Sequence, residues 1–151
     1  MAYTEVTGDL FALGLPAIGH GCNCAGVMVA GIAVEFRRRW PRMYDEYRRR
    51  CRAGKFRLGG CWAYDAGDVV VYNLATQREP GAHATLGAIE RSVATALADV
   101  AARGLPSLGL PRLGAGIGGL RWDDVREVLR AAGEAAPVEL VAVTLAGPPR
   151  R

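Results

Sequence analysis

Two segments concentrate glycine in a pattern suited to holding an anion. Cys24-Ala25-Gly26-Val27-Met28-Val29-Ala30-Gly31 leads into a helical pattern, and Leu113-Gly114-Ala115-Gly116-Ile117-Gly118-Gly119-Leu120 leads toward another. Glycine lets successive backbone N–H groups converge, and a helix N-terminus adds partial positive charge. Two such loops on one rim can clamp a pyrophosphate. Neither is a P-loop, because GxxxxGK[ST] is absent. A Rossmann fold wants its GxGxxG in the first βα turn. Here that turn is Gly8-Asp9-Leu10, and the GxG pattern comes late. Tight turns and close packing remain the plainer reading of either loop alone. Cys22-Asn23-Cys24 is no zinc pattern: no CxxC partners it, and His20 and His83 are the only histidines. No metal and no cofactor are expected.

The surrounding elements must bring the loops together. Tyr3–Val6 and Ala17–Asn23 read as strands. Gly31–Trp40 reads as a helix with an apolar Ile32, Phe36 and Trp40 face, and Pro41 restarts a charged helix over Arg42–Arg52. Gly59–Tyr64 and Val69–Leu74 look like neighbouring strands joined by a turn. Ala84–Arg103 is the longest helix, since Leu86, Ile89, Val93, Leu97 and Val100 recur every three or four residues. Gly104 stops it. Ser107–Leu110 and Val138–Leu145 are further strands. Trp122–Ala132 is a helix with Asp123 and Asp124 in its first turn. Strands alternating with helices imply a largely parallel sheet covered on both faces. Ligands of such sheets sit outside the carboxyl ends of the strands. Both glycine loops follow strands, so both should lie on that rim.

Three stretches carry a family resemblance: Thr7-Gly8-Asp9-Leu10-Phe11, His20-Gly21-Cys22-Asn23-Cys24 through Gly31-Ile32-Ala33, and Pro111-Arg112-Leu113-Gly114-Ala115-Gly116-Ile117-Gly118-Gly119-Leu120-Arg121-Trp122. In this order, over nearly the whole chain, they resemble the macrodomains. The likeness is greatest to the branch of terminal ADP-ribose protein glycohydrolases, antitoxins that strip ADP-ribose from DNA, and ADP-ribose-1″-phosphate phosphatases. The resemblance implies a single α/β macrodomain over residues 1–146, three layers α/β/α around a mixed, largely parallel sheet, with 147–151 as a loose tail. It implies ADP-ribose, free or on protein or nucleic acid, as the partner. The ligand-binding set it implies is Asp9, Leu10, Asn23, Val27, Met28, Val29, Ala30, Gly31, Ile32, Gly114, Ala115, Gly116, Ile117 and Gly118. Asp9 would accept a hydrogen bond from the adenine amino group, Asn23 would face the distal ribose, and the loop amides would hold the phosphates. From the residues alone, Asp9 is equally an N-cap of the next turn, and Asn23 a loop residue bonding its own backbone.

Two positions depart from the family pattern. Val29 stands where glycine is usual; a β-branched residue resists positive φ and adds bulk beside the ligand. Its replacement by glycine is expected to preserve or tighten binding. Gln77 stands in the place of a lysine used by glycohydrolases of this branch, just after the Val69–Leu74 strand. Gly118 likewise takes the place of an acid. A lysine-assisted covalent route is therefore absent, and hydrolysis would rest on a positioned water attacking C1″, with Asn23 and Gln77 as the catalytic candidates. Alternation along the strand would turn Cys22 and Cys24 away from the ligand. His20, on an apolar strand, reads as a core histidine, and His83 as structural.

The chain has 151 residues, half of them apolar, and a net charge of +4. This fits one domain with one core. Arginine supplies 18 of 19 basic residues, Lys55 being the only lysine. The polar Met1–Asp9 segment reads as no leader, and no apolar run approaches the ~20 residues of a membrane span. Reduced cysteines and a cytoplasmic location are expected. Three functions compete: an enzyme removing ADP-ribose, a reader binding it without cleavage, and a nucleic-acid binder using the arginine-rich stretches. The single-domain organisation favours the enzyme, and the missing lysine favours the reader. The arginine stretches have few interleaved aromatics.

Overall fold

The computed structural model describes residues 2–146. Six strands and four helices alternate: β1 (Ala2–Gly8), β2 (Ala17–Asn23), α1 (Ile32–Arg39), α2 (Pro41–Arg52), β3 (Cys61–Asp65), β4 (Val70–Gln77), α3 (Leu86–Ala102), β5 (Ser107–Leu110), α4 (Trp122–Ala135) and β6 (Glu139–Leu145). The strands form one sheet in the order β1-β6-β5-β2-β4-β3. Every pairing is parallel except the antiparallel β3–β4 edge. The expected tail 147–151 lies outside the described residues.

Each face of the sheet buries its own apolar cluster. On one, Ile89, Val93, Leu97 and Val100 of α3 and Val125 and Leu129 of α4 pack on Tyr72, Leu74, Leu108 and Leu140. On the other, Phe36 of α1 and Met43 and Tyr47 of α2 cover Ile18, Val71, Ala75 and Val143. Burying each such side chain contributes about 1.5–3 kcal/mol, so the helices dock by the faces their spacing predicts. The three-layer α/β/α sandwich is the expected fold.

Several boundaries move from the sequence reading for local reasons. Gly31 sits outside α1 with φ +60°, a left-handed conformation that glycine adopts readily. Pro41 occupies the first turn of α2 and needs no hydrogen-bonded N–H there. Helix α3 begins at Leu86 rather than Ala84, because Thr85 caps it: the Thr85 Oγ accepts from the Ala88 N–H at 3.2 Å. Leu86 is only partly buried. Strand β4 runs three residues past Leu74, which puts Gln77 at the strand end rather than in the following loop.

Candidate functional site

The carboxyl ends of β2, β4, β5 and β6 border a cleft of about 560 Å³, within the range of small-molecule sites. Both glycine loops line it, from Val27 to Ala33 and from Leu113 to Gly118. Within them the N–H groups of Met28 to Gly31 and of Gly116 to Gly118 have no acceptor among the described residues. Neither α1 nor α4 carries a side-chain cap at its N-terminus. Uncapped first-turn N–H groups beside free loop amides form a site for anionic oxygens. Among the described residues, no carboxylate side chain and no histidine lines the cleft.

The loops meet across the opening. A Cβ built on Gly31 would come within 3.2 Å of Ile117 Cδ1. Loop two is folded tightly: a Cβ on Gly118 would lie 2.7 Å from both Cα and O of Gly114. Only glycine fits there.

Asn23 organises loop one. Its Oδ1 accepts from the Ala25 N–H at 3.0 Å and from the Val27 N–H at 3.4 Å, while its Nδ2 donates to the Val27 carbonyl at 2.9 Å. Tyr47 of α2 donates its hydroxyl to the Asn23 carbonyl at 2.7 Å, 3.0 Å from Oδ1. An amide has two N–H donors, so the second N–H of Asn23 remains for a ligand. Gln77 differs: its Nε2 donates to the carbonyls of Glu79 (2.7 Å) and Gly81 (3.0 Å). Those two acceptors fix the amide orientation and consume both donors. Gln77 therefore offers the cleft only the acceptor Oε1.

Beneath the site His20 is fully buried, stacks on Phe36 at 3.8 Å between ring centroids, and bonds Asn73 Oδ1 at 2.8 Å. Burial pulls its pKa down to about 4, so the ring is neutral. Burial likewise pushes the Cys22 thiol well above its usual range.

The Macro domain sequence profile matches residues 20–129 of this chain. The chain belongs to the Macro domain family. Among its relatives is the DNA ADP-ribosyl glycohydrolase of Mycobacterium tuberculosis, 31% identical over 138 residues; the alignment covers 89% of this chain and 39% of that protein. The enzyme of the same description from Thermus aquaticus is 29% identical, with 86% and 37% covered. The chain thus spans about two-fifths of the length of these curated relatives. The solved macrodomain of Mycobacterium tuberculosis DarG superposes with a TM-score of 0.85 at 29% identity, over 98% of both chains.

In this Macro domain most expected site residues converge. Asn23, Val27, Met28, Val29, Ala30, Gly31, Ile32, Gln77, Gly114, Ala115, Gly116, Ile117 and Gly118 all line the one cleft. Asp9 and Leu10 are placed otherwise. The Leu10 side chain is buried in the core beside Phe36 rather than in the cleft wall. Asp9 Oδ1 accepts from the Phe11 N–H at 2.9 Å, capping the turn after β1. Asp9 follows Gly8, which pairs with the cleft residue Leu145.

Val29 does not strain its loop: no residue other than glycine has positive φ among the described residues, and Val29 is 65% exposed. Cys22 points where alternation along β2 puts it: its buried thiol lies 3.4 Å from Nε2 of His20, two residues back on the same face. The β2–β4 register shifts between Cys22 and Asn23, leaving Thr76 as an extra residue on β4. Such a bulge re-aims the chain. The bulge follows Cys22 and brings Asn23 opposite Gln77, while Cys22 borders the cleft from within the buried cluster. Cys24 is not in the lining.

Sequence reasoning missed the β6 end (Val143, Thr144, Leu145), Thr76, Arg112 and Trp122, all of which line the cleft. Arg112 donates from Nε to Thr144 Oγ at 3.0 Å and lies 4.8 Å from the Trp122 ring centroid. The buried Trp122 indole N–H has no acceptor among the described residues. The rule that ligands sit at strand ends points to β6, and Arg112 and Trp122 lie in the third stretch of family resemblance without having been assigned to the site.

Proposed function

We propose that this Macro domain binds ADP-ribose in the cleft and hydrolyses it from a modified macromolecule or a small ester by attack of water at C1″. The convergence of free loop amides and the uncapped N-terminus of α1 on one cleft, with no carboxylate among its described lining residues, carries the reading, because a pyrophosphate needs that environment. The naming of two relatives as DNA ADP-ribosyl glycohydrolases supports a hydrolytic role.

In this mechanism water forms a bond to C1″ as the bond from C1″ to the carried group breaks. The water proton passes to a ligand phosphate oxygen, and the leaving group takes a proton from solvent. The second N–H of Asn23 orients the distal ribose or the water, and Gln77 Oε1 accepts from a hydroxyl or from the water. Positioned groups of this kind can supply large accelerations without a nucleophilic side chain. Lys55 lines a different cavity and has no place in the step.

The lack of a carboxylate side chain or histidine among the described lining residues favours a second reading, binding without cleavage. Calorimetry with ADP-ribose followed by incubation with ADP-ribosylated protein, ADP-ribosylated DNA and ADP-ribose esters separates the two. Heat of binding plus release of ADP-ribose supports the hydrolase. Heat with no cleaved substrate leaves a reader. No heat from folded protein at millimolar ADP-ribose removes both.

A further inference from the structure

Residues 35–57 hold ten basic and three acidic side chains, a net +7 in a chain whose total is +4. Part of this charge is organised. A second cleft, of about 310 Å³, is lined by Arg50, Lys55, Arg57, Arg91 and Trp62, with no acidic residue among the described residues of its wall. The lining comes from α2, the segment before β3, β3 itself and α3, so the cations are assembled by the fold and not by one helix face.

The three arginines are each set in place differently. Arg50 lies 4.6 Å from the Trp62 ring centroid, with Nε 3.2 Å from Glu46 Oε2. Arg57 donates Nε to the Gly54 carbonyl at 2.7 Å, which leaves its terminal nitrogens. The Arg91 guanidinium packs on Gly59, where a Cβ would come within 2.6 Å of its Nε. Lys55, Arg57 and Arg91 form no ion pair with the described residues.

The second cleft lies near the first, although no residue lines both. The Gly59 N–H donates to the Ala75 carbonyl at 2.8 Å. Two residues along β4, roughly 7 Å at strand rise, Gln77 lines the ADP-ribose cleft. Four cations exceed what one small anion requires. Guanidinium forks match phosphate oxygens, and the Trp62 ring holds the Arg50 guanidinium in the cleft wall.

We infer that this cationic cleft binds the phosphodiester backbone of a nucleic acid strand, beside the cleft that takes the ADP-ribose it carries. Its place in catalysis rests on the function proposed above. Backbone contacts of this kind position a substrate without reading its sequence.

The test uses an unmodified, fluorescently labelled oligothymidylate of roughly 12 nucleotides, a length such grooves cover. Binding is followed by anisotropy between roughly 50 and 200 mM salt. Replacing Lys55→Gln, Arg57→Gln and Arg91→Gln together should weaken binding at least ~10-fold at low salt. It should also reduce the slope of log K against log salt by about 2, since a single strand gives about 0.7 per phosphate contact. If loss of the Arg91–Gly59 packing unfolds that variant, Lys55→Gln with Arg57→Gln, both exposed, should reduce the slope by about 1.

A control removes the same charge from ion-paired arginines elsewhere, Arg38→Gln, Arg103→Gln and Arg130→Gln, and should bind within about threefold of wild type. Wild-type affinity and slope in the cleft variant would overturn the inference. So would an equal loss in the control, which would show a net-charge effect. A polyglutamate peptide competing as well as the oligonucleotide would point to an acidic protein partner instead. Calorimetry with ADP-ribose keeps the two ideas apart. Heat without oligonucleotide binding removes the second cleft alone, and cleft-dependent oligonucleotide binding without heat removes the ADP-ribose function alone.

Discussion

At the scale of single residues, Asn23 does two jobs. It holds loop one through three hydrogen bonds and keeps an N–H for the ligand. Asn23→Ala should cut turnover by ~10²-fold or more, as when one preorganised donor is lost, and should also weaken ADP-ribose binding because the loop loosens. Cys22→Ala and Cys24→Ala should leave turnover within a few-fold; the buried Cys22 thiol stays protonated and is no nucleophile. Borohydride added during turnover should trap no adduct, and an ADP-ribosyl group on Lys55 would contradict the water mechanism. Asp9→Ala should weaken ADP-ribose binding by about 1.5–3 kcal/mol if its carboxylate meets the adenine. Its cap on the Phe11 N–H adds a stability loss of about 0.5–2 kcal/mol, so calorimetry and thermal melting should be read together. Val29 is exposed with no positive φ. Val29→Gly should therefore preserve affinity, within about threefold on the logic of substitutions at exposed positions.

At the scale of elements, loop two depends on the close approach of Gly118 to Gly114. Both near atoms are backbone, so an added methyl cannot be relieved by a rotamer change. Gly118→Ala should cost about 1–3 kcal/mol through loop displacement. The loss should appear chiefly as weaker ADP-ribose binding, roughly tenfold or more by calorimetry, with the secondary structure unchanged by circular dichroism. The β2–β4 bulge belongs to the same scale. It sets Asn23 opposite Gln77 at the rim, a register that an alternating pattern of side chains does not encode. Glycine spacing did reveal both loops, because a glycine-rich run after an apolar strand has few other uses. Gln77 was legible as a position but not as an acceptor, since its two donors are consumed by the turn at Glu79 and Gly81.

At the scale of the whole molecule, the buried His20 links stability to pH. Its folded-state pKa of about 4 lies below the ordinary 6.5. The unfolded chain therefore binds the extra proton first as pH falls. The stability this neutral ring retains is fully present above about pH 6.5 and is lost progressively toward pH 4, by about 3 kcal/mol in all. Urea unfolding at pH 7 and pH 4.5 should show the fall. His20→Gln, which can still bond Asn73, should flatten it, and an unchanged slope in that variant would assign the acid sensitivity to the carboxylates.

The sequence by itself determined the α/β class, the alternating elements, the stripe of α3 and the two glycine loops, because each is written in local spacing: short apolar runs between turn residues, a 3.6-residue period, and glycine where the backbone must turn back. Tertiary structure alone decided which groups face one another. Tyr47 reaches Asn23 from 24 residues away, Trp122 and the end of β6 close the cleft from the far side of the chain, and Arg91 joins Arg50, Lys55 and Arg57 only once α2 and α3 flank the β3 edge. Such contacts depend on strand order and register. Those follow from the joint packing of two apolar clusters on opposite faces of the sheet, and no single window of the sequence contains both.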